Sequence, residues 1–359
     1  MMMGSYEKLR ARFDMFPFGF PKTERGIELK LLEKLFSEEE AEVACTLNLM
    51  MTDSPQSAQT IADKMGRDVN EIEAILELMT KKALIYGAGD RGHRVFALLP
   101  MIPGVCEFNV DNFDEETARL VEEYLYHDAW GPEMAKAQSA LTRIVPVNQS
   151  VPSSSIIHSY DDAIGIIKAA KSITVMNCLC RTQKNLIGEG CGRPTETCLS
   201  FDFFAEHLIS IGKGRALTKE EAIDVITKAA DAGCYFSAAN INDPVGFCCC
   251  CNCCCHLAQV QTLFSMPGDT TLVAKSDFVA AVDLDLCTGC ENCIEDCWFH
   301  ALSMEEEHVV VNSAKCVGCG KCVKACPAEA LSLLRKSEEE REPLPNDMVE
   351  LFSRMGWRK

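Results

Sequence analysis

The sequence predicts an α+β chain built from several units: helices closed by a β-hairpin, a central α/β domain rich in cysteine, and a C-terminal module of two short repeats. Three observations predict it. Apolar residues recur at helical spacing from about residue 27 to 84, then give way to two β-type runs around a glycine-rich turn. All but two of the 22 cysteines fall after residue 177. A C-x2-C-x2-C-x3-C pattern occurs twice, from Cys287 to Cys297 and again from Cys316 to Cys326. A chain of 359 residues has room for two or three domains. The punctuation divides it into an arm (1–22), a helix–hairpin domain (23–100), a helical connector (101–152), a cysteine-rich domain (153–267), the repeat module (274–334) and a charged tail (335–359).

Composition narrows the function. Apolar residues make up 47% and charged residues 25%, as in ordinary globular proteins. The 35 basic and 53 acidic residues leave a net charge of −18, which argues against a nucleic-acid partner because phosphate binding rests on Lys and Arg. No apolar run reaches the length of about 18 residues that a bilayer span needs. The start, Met1 to Phe20, lacks the apolar core of a secretory signal. A cytoplasmic protein without a membrane span is therefore expected.

In the first domain Ile27, Leu31 and Leu35 mark one helix. Ser54-Pro55 is a helix start, with Pro at the first helical position. Ile61, Ala62 and Met65 follow on one face, and Gly66 stops that helix. Ile72, Ile75, Leu76 and Met79 form the apolar stripe of the next. Leu84-Ile85-Tyr86 and Arg94 to Leu98 read as the strands of a hairpin. This order resembles a winged helix, whose second turn-motif helix often enters DNA. Here that helix exposes Glu71, Glu73 and Glu77, so docking or scaffolding is expected, despite Lys81, Lys82, Arg91 and Arg94 nearby. Gly87 to Gly92 matches G-x-G-x-x-G, but a strand follows it where a dinucleotide site needs a helix N-terminus, so it reads as the wing turn.

Asp111 to Tyr126 is amphipathic, and Pro132 opens a further short helix in the connector. In the cysteine-rich domain Tyr160 to Ala170 and Phe203 to Ile211 read as helices and Ser172 to Asn177 as a strand. Thr218-Lys219-Glu220-Glu221 is a capping box for a helix to about Ala232. The tail carries one helix from about Asp347.

Seven cysteines crowd between Cys248 and Cys255. Neighbouring residues rarely bridge without strain, and a long chain without a signal fits metal ligation in a reducing compartment better than a disulfide framework. The repeats are more specific. Cys287, Cys290, Cys293 and Cys297 recur as Cys316, Cys319, Cys322 and Cys326, the last followed by Pro327. This is the spacing of bacterial-type two-cluster ferredoxins, in which the fourth cysteine ligates the other cluster. One [4Fe–4S] set is then Cys287, Cys290, Cys293 and Cys326, and the other is Cys316, Cys319, Cys322 and Cys297. The first repeat departs from the pattern in having Trp298 in place of Pro.

The last domain thus resembles the two-[4Fe–4S] ferredoxin family over roughly 60 residues. The whole chain is similar to a group of multi-cluster iron–sulfur proteins of anaerobes that join a winged-helix-like start, a C-x-C-R segment, an N-C-C-x-C-C-C-like run and a terminal ferredoxin. That resemblance implies electron transfer. The group's pattern has Asn where this chain has Cys249, which leaves Cys249 the weakest ligand candidate.

Cys178, Cys180, Cys191 and Cys198 supply four thiolates for one further centre, with Arg181 to offset charge. Cys248, Cys250, Cys251, Cys253, Cys254 and Cys255 supply another set. Alternate residues of an extended chain point oppositely, so the run either forms a tight turn or helix start or serves two sites. Zinc competes with iron–sulfur for four thiolates, and His256 is a lesser candidate ligand. Cys45, Cys106 and Cys234 are expected to be structural. The expected function is electron transfer through two ferredoxin clusters and one or two more, as a subunit that docks on the catalytic subunit of an oxidoreductase. The alternatives are a reductase with a catalytic centre among the central cysteines and a redox-sensing winged-helix regulator. Beyond iron–sulfur and zinc no cofactor site is expected.

Overall fold

A seven-stranded mixed sheet organises the chain. The computed structural model describes residues 3–17, 19–50, 52–90, 93–128, 130–134, 139–147, 163–264 and 272–356. The sheet order is Val273–Ala274, Thr142–Val145, Tyr235–Ala239, Gly246–Cys250, Glu196–Phe201, Ile173–Asn177 and Arg215–Ala216. One pair, Val273–Ala274 with Thr142–Val145, is parallel; every other neighbouring pair is antiparallel. The connector therefore contributes a strand to the sheet, where the sequence suggests only helices. Helices Ala163–Ala169 and Lys219–Asp231 cover one face around Ile167, Phe201, Ile226 and Phe236. Thr218 caps the second by accepting from Glu221 N–H, while Glu221 returns the bond.

The other face packs against the N-terminal half. Helices Ile27–Leu35, Glu38–Ala44, Ala58–Met65 and Val69–Lys81 precede strands Ile85–Ala88 and Val95–Leu98, and the short strand Gln56–Ser57 joins the hairpin edge. Ala58–Met65 starts later than Ser54-Pro55. Pairing of Gln56 with Phe96 holds residues 56–57 extended, and Ser57 becomes the N-cap, accepting from Thr60 N–H. Gly66 ends that helix at φ +65°. The arm is not a free extension: helix Ser5–Phe13 buries Leu9 and Phe13, and Phe13 packs edge-on against Phe20 and Phe36. This core continues without a break through Tyr124 and Trp130 to Tyr235, Cys255 and Phe352. Phe352 belongs to helix Met348–Arg354, capped by Asp347.

Arg91 and Gly92 of the glycine-rich turn, and Tyr160 to Asp162 of the predicted helix, lie outside the described residues. The described part of the turn joins the two hairpin strands and opens no helix.

The C-terminal module shows its duplication in space. Helix Asn292–Glu295 of the first repeat has its counterpart within Lys321–Ala325 of the second, and strand Leu302–Glu305 has its counterpart within Leu331–Arg335. Phe278–Val282 pairs with Leu331–Arg335, and Leu302–Glu305 pairs with His308–Val311. Gly318, at φ +70°, has no room for a side chain: a Cβ would stand 2.2 Å from Phe278 O. No helix among the described residues is long and apolar enough to cross a membrane.

Candidate metal centre

The two repeats bring their cysteines together in crossed sets. Cys287, Cys290, Cys293 and Cys326 line one small cavity with Val309 and Leu331. Cys319, Cys316, Cys297 and then Cys293 act most strongly on the Cys322 thiol after burial. Burial, followed by these neighbouring thiols, raises the Cys322 thiol, and burial pushes Cys319 up to about 12. Ala301 N–H donates to Cys297 Sγ at 3.4 Å, and Ala330 N–H donates to Cys326 Sγ at 3.3 Å. The same bond thus recurs at the same place in each repeat, on the cysteine that crosses over.

Trp298, the departure from the pattern, sits where this module meets the central sheet. Lys321 Nζ lies 4.4 Å from its ring centre and the Arg193 guanidinium 5.1 Å. Tyr235 packs edge-on against it, with ring centres 5.9 Å apart. Asn252 Nδ2 donates to Trp298 O at 2.8 Å, and Val147 N–H donates to Cys319 O at 2.9 Å. The set containing Cys297 and Cys319 therefore faces the central domain. In the other set Cys290 is exposed.

The central cysteines divide by strand alternation and turn geometry. In Gly246–Cys250, Cys248 lies opposite Cys198 and Ser237, and Cys250 opposite Tyr235. Cys248 and Cys250 point to one face of the sheet. Cys249 points to the other, packing with Phe236 and Phe247. The chain then turns, with Cys255 N–H donating to Cys251 O at 2.9 Å, and enters helix His256–Phe264. The run is a strand, a turn and a helix start in succession.

Two thiol groups result. Cys178, Cys180, Cys198, Cys248, Cys250 and Cys255 form a hydrogen-bonded chain: Cys180 contacts Cys178 and Cys255, Cys248 contacts Cys198 and Cys250, and Cys250 contacts Cys255. Together with Cys251 of the second group, they wall a cavity of about 240 Å³ that is otherwise mostly apolar. Cys178 is the N-cap residue of helix Leu179–Leu186, its carbonyl accepting Thr182 N–H at 2.9 Å, and Cys255 accepts the Ala258 N–H of the helix that follows it. Hydrogen bonds from neighbouring thiols, chiefly Cys180 to Cys178 and to Cys255 and Cys198 to Cys248, hold Cys178, Cys255 and Cys248 below the usual thiol range.

The second group is Cys191, Cys251, Cys253 and Cys254, whose sulfurs all lie within 4.8 Å of one another. Cys191 thus stands apart from Cys178, Cys180 and Cys198, with which its sequence position groups it. A hydrogen bond from Cys254, helped by Arg181, holds Cys251 at about 5.

Arg181 is buried between the two groups. Its Nη1 donates to Cys249 O at 2.7 Å and lies 3.8 Å from Cys251 Sγ and 3.7 Å from Cys234 Sγ, while Nη2 bonds Thr197. Burial opposes its charge, and the neighbouring sulfurs of Cys178, Cys234 and Cys251 more than offset that. His256 bonds Gln183 Oε1 through Nε2 at 3.1 Å, and burial lowers it to about 4, so it is neutral at pH 7. Its backbone N–H, not its ring, meets Cys180 Sγ, at 3.4 Å.

Three functional candidates escape a reading of the sequence. Arg193 Nη1 lies 3.5 Å from Cys253 Sγ. The Tyr235 hydroxyl bonds Cys255. Glu107 reaches the large cavity, where burial raises its carboxyl to about 7. None belongs to a cysteine pattern, so no local signal marks them.

Residues 280–327 match the family model of the 4Fe-4S dicluster domain, a span that contains both repeats. No curated protein and no solved structure matches the chain. The family match and the cysteine-rich centre support an iron–sulfur protein.

Proposed function

We propose that this chain relays single electrons between a partner docked on the outer face of the ferredoxin module and the thiol-lined centre of the sheet. Cys287, Cys290, Cys293 and Cys326 would hold one [4Fe–4S] cluster and Cys316, Cys319, Cys322 and Cys297 the other. Such clusters supply one-electron transfer at low potential, roughly −400 mV. The thiols of the first central group, Cys178, Cys180, Cys198, Cys248, Cys250 and Cys255, would hold a further iron–sulfur centre. The observation that carries the reading is the seating of Trp298, which fixes the inner four-cysteine set against the central cysteines through Asn252 and Arg193.

The outer set offers the entry. The segment 283–295 carries exposed Leu284, Leu286 and Cys290 together with exposed Asp283, Asp285, Glu291 and Glu295. A redox partner with a basic rim and an apolar centre fits that surface, as a catalytic oxidoreductase subunit in a cytoplasmic complex would. The helix–hairpin unit of residues 23–100 serves as a winged-helix-like scaffold in this reading, not as a DNA reader. Its hairpin packs on helix Asp202–Ser210, with Tyr86 and His207 ring centres 4.9 Å apart. On the turn-motif helix Glu71 pairs with Arg67, and Glu77 holds Arg94 at 3.0 Å.

A second reading, a reductase, is favoured by the cavity itself. Its volume of about 240 Å³ suits a small apolar substrate, and Glu107 stands in it as a proton donor near neutral pH. Anaerobic counting of iron and sulfide with EPR after dithionite tests both readings. About 8 iron from the ferredoxin module, plus iron from the cavity thiols, is expected. Absence of any iron–sulfur signal from chain matured in an anaerobic host rejects the relay and the reductase together. A small molecule that perturbs only the central signal selects the reductase.

A further inference from the structure

Cys191, Cys251, Cys253 and Cys254 differ from every other cysteine group in the spread of their sulfur atoms. All four lie within 4.8 Å of one another, with Cys191 Sγ 3.9 Å from Cys251 Sγ and Cys254 Sγ 3.9 Å from Cys253 Sγ. Four thiolates placed tetrahedrally about one ion at about 2.3 Å stand about 3.8 Å apart. A cubane gives each thiolate its own iron, which spreads the four sulfurs to roughly 6 Å or more. The ferredoxin sets act as an internal standard. Among the described residues no three of their thiols, and no three of the six around the cavity, come within the 4.8 Å spacing.

We infer that Cys191, Cys251, Cys253 and Cys254 bind a single tetrahedral divalent ion of the thiophilic class, zinc or iron, and not an iron–sulfur cubane. Charge agrees with this. Four thiolates and one divalent ion sum to about −2. Two guanidinium groups meet them: Arg193 at 3.5 Å from Cys253 Sγ and Arg181 at 3.8 Å from Cys251 Sγ. Such N–H···S contacts orient the ligands and lower their basicity.

The backbone suits the task. One turn, closed by Cys255 N–H on Cys251 O, presents three of the thiols, and Cys191 arrives from the loop after helix Leu179–Leu186. The ion ties that loop to the turn. It thereby fixes Cys255 at one wall of the cavity and holds Cys253 and Arg193 against the Trp298 face of the ferredoxin module. The site is a clamp between the two halves of the cysteine machinery. Its geometry is independent of what the ferredoxin sets bind.

The test uses the full chain matured anaerobically with both metals supplied. Metal counting is expected to find one zinc, or one iron without matching sulfide, per chain. Zinc-edge absorption is expected to show four sulfurs at about 2.3 Å and no iron neighbour. If the ion is iron, a high-spin ferric signal after mild oxidation identifies it. Cys191→Ala and Cys253→Ala are expected to cut that ion to a tenth or less while the dithionite-reduced cluster signals persist. Loss of about four iron with four sulfide in either variant overturns the inference. So does an unaltered chain with neither zinc nor sulfide-free iron. If the variants fail to fold, the absorption and counting data on the unaltered chain decide alone.

Discussion

The two C-terminal repeats and the central domain carry eight and eleven clustered cysteines respectively, and they gather them by different physics. Each repeat is a short loop around Gly289 or Gly318, followed by a single helical turn. Three thiols come from one loop, and only Cys297 and Cys326 must cross between halves. The central thiols come from two helix starts, two strands, a turn and the loop that carries Cys191. Cys198 meets Cys248 through strand register, and Cys180 meets Cys255 from a distant part of the chain. Local ligand loops tolerate exposure, and Cys290 is exposed. The central group is built on buried sheet and depends on one buried cation, Arg181, to balance it.

Four results would break or sharpen that comparison. The largest effect belongs to the ligands. Cys319→Ala should remove about four of the iron atoms of the ferredoxin module while the central metal content stays unchanged. Parallel loss of the central metal would show that the two regions are not separable.

Arg181→Met should do the reverse. It leaves buried thiolates without a counter-charge, at a cost of about 4 kcal/mol, and should abolish central metal loading while the ferredoxin EPR signal survives. Arg181→Lys should rescue only partly, since one ammonium cannot span Cys249 O, Cys251 Sγ and Thr197 at once.

Trp298→Ala should leave both metal contents intact and loosen the seat between the modules by about 3 kcal/mol, through lost packing and two lost cation–π contacts. Faster proteolytic release of the C-terminal module and slower reduction of the central centre would register it. Unchanged proteolysis would mean that Val147 and Asn252 suffice to hold the seat.

The smallest effect lies away from the thiols of both regions, on helix Asp202–Ser210. His207 is buried with Nδ1 3.2 Å from Gly87 O, and burial lowers it to about 4 from an ordinary 6.5. The unfolded chain therefore binds a proton between those values that the folded chain refuses. Stability is full above pH 6.5 and falls as pH drops toward 4, by on the order of 2 kcal/mol. Urea midpoints of the native chain and His207→Gln at pH 7.5 and pH 5 measure it. An equal drop in both proteins would remove His207 as the cause.

Legibility in the sequence follows the range of the interactions. The capping box at Thr218, the stop at Gly66 and the cap at Asp347 are readable because each involves residues within one helical turn. A local reading misplaces the helix start at Ser54-Pro55, because pairing of Gln56 with the distant Phe96 holds that segment extended. It misses strand Thr142–Val145 for the same reason: its partners are Phe236 to Ala239 and Val273–Ala274, far along the chain.

The sequence by itself determined that this is a thiol-rich chain with a duplicated two-cluster ferredoxin pattern, because a loop ligand set is written in fixed short spacings. Only the tertiary structure decided how the eleven central cysteines divide. It separated Cys191 from Cys178, Cys180 and Cys198, turned Cys249 away from its neighbours, and gave Trp298 its place between the modules. Those outcomes depend on sheet register and on which faces meet. Alternation along a strand sends adjacent cysteines to opposite sides, and contacts between residues far apart in the chain leave no local pattern to read.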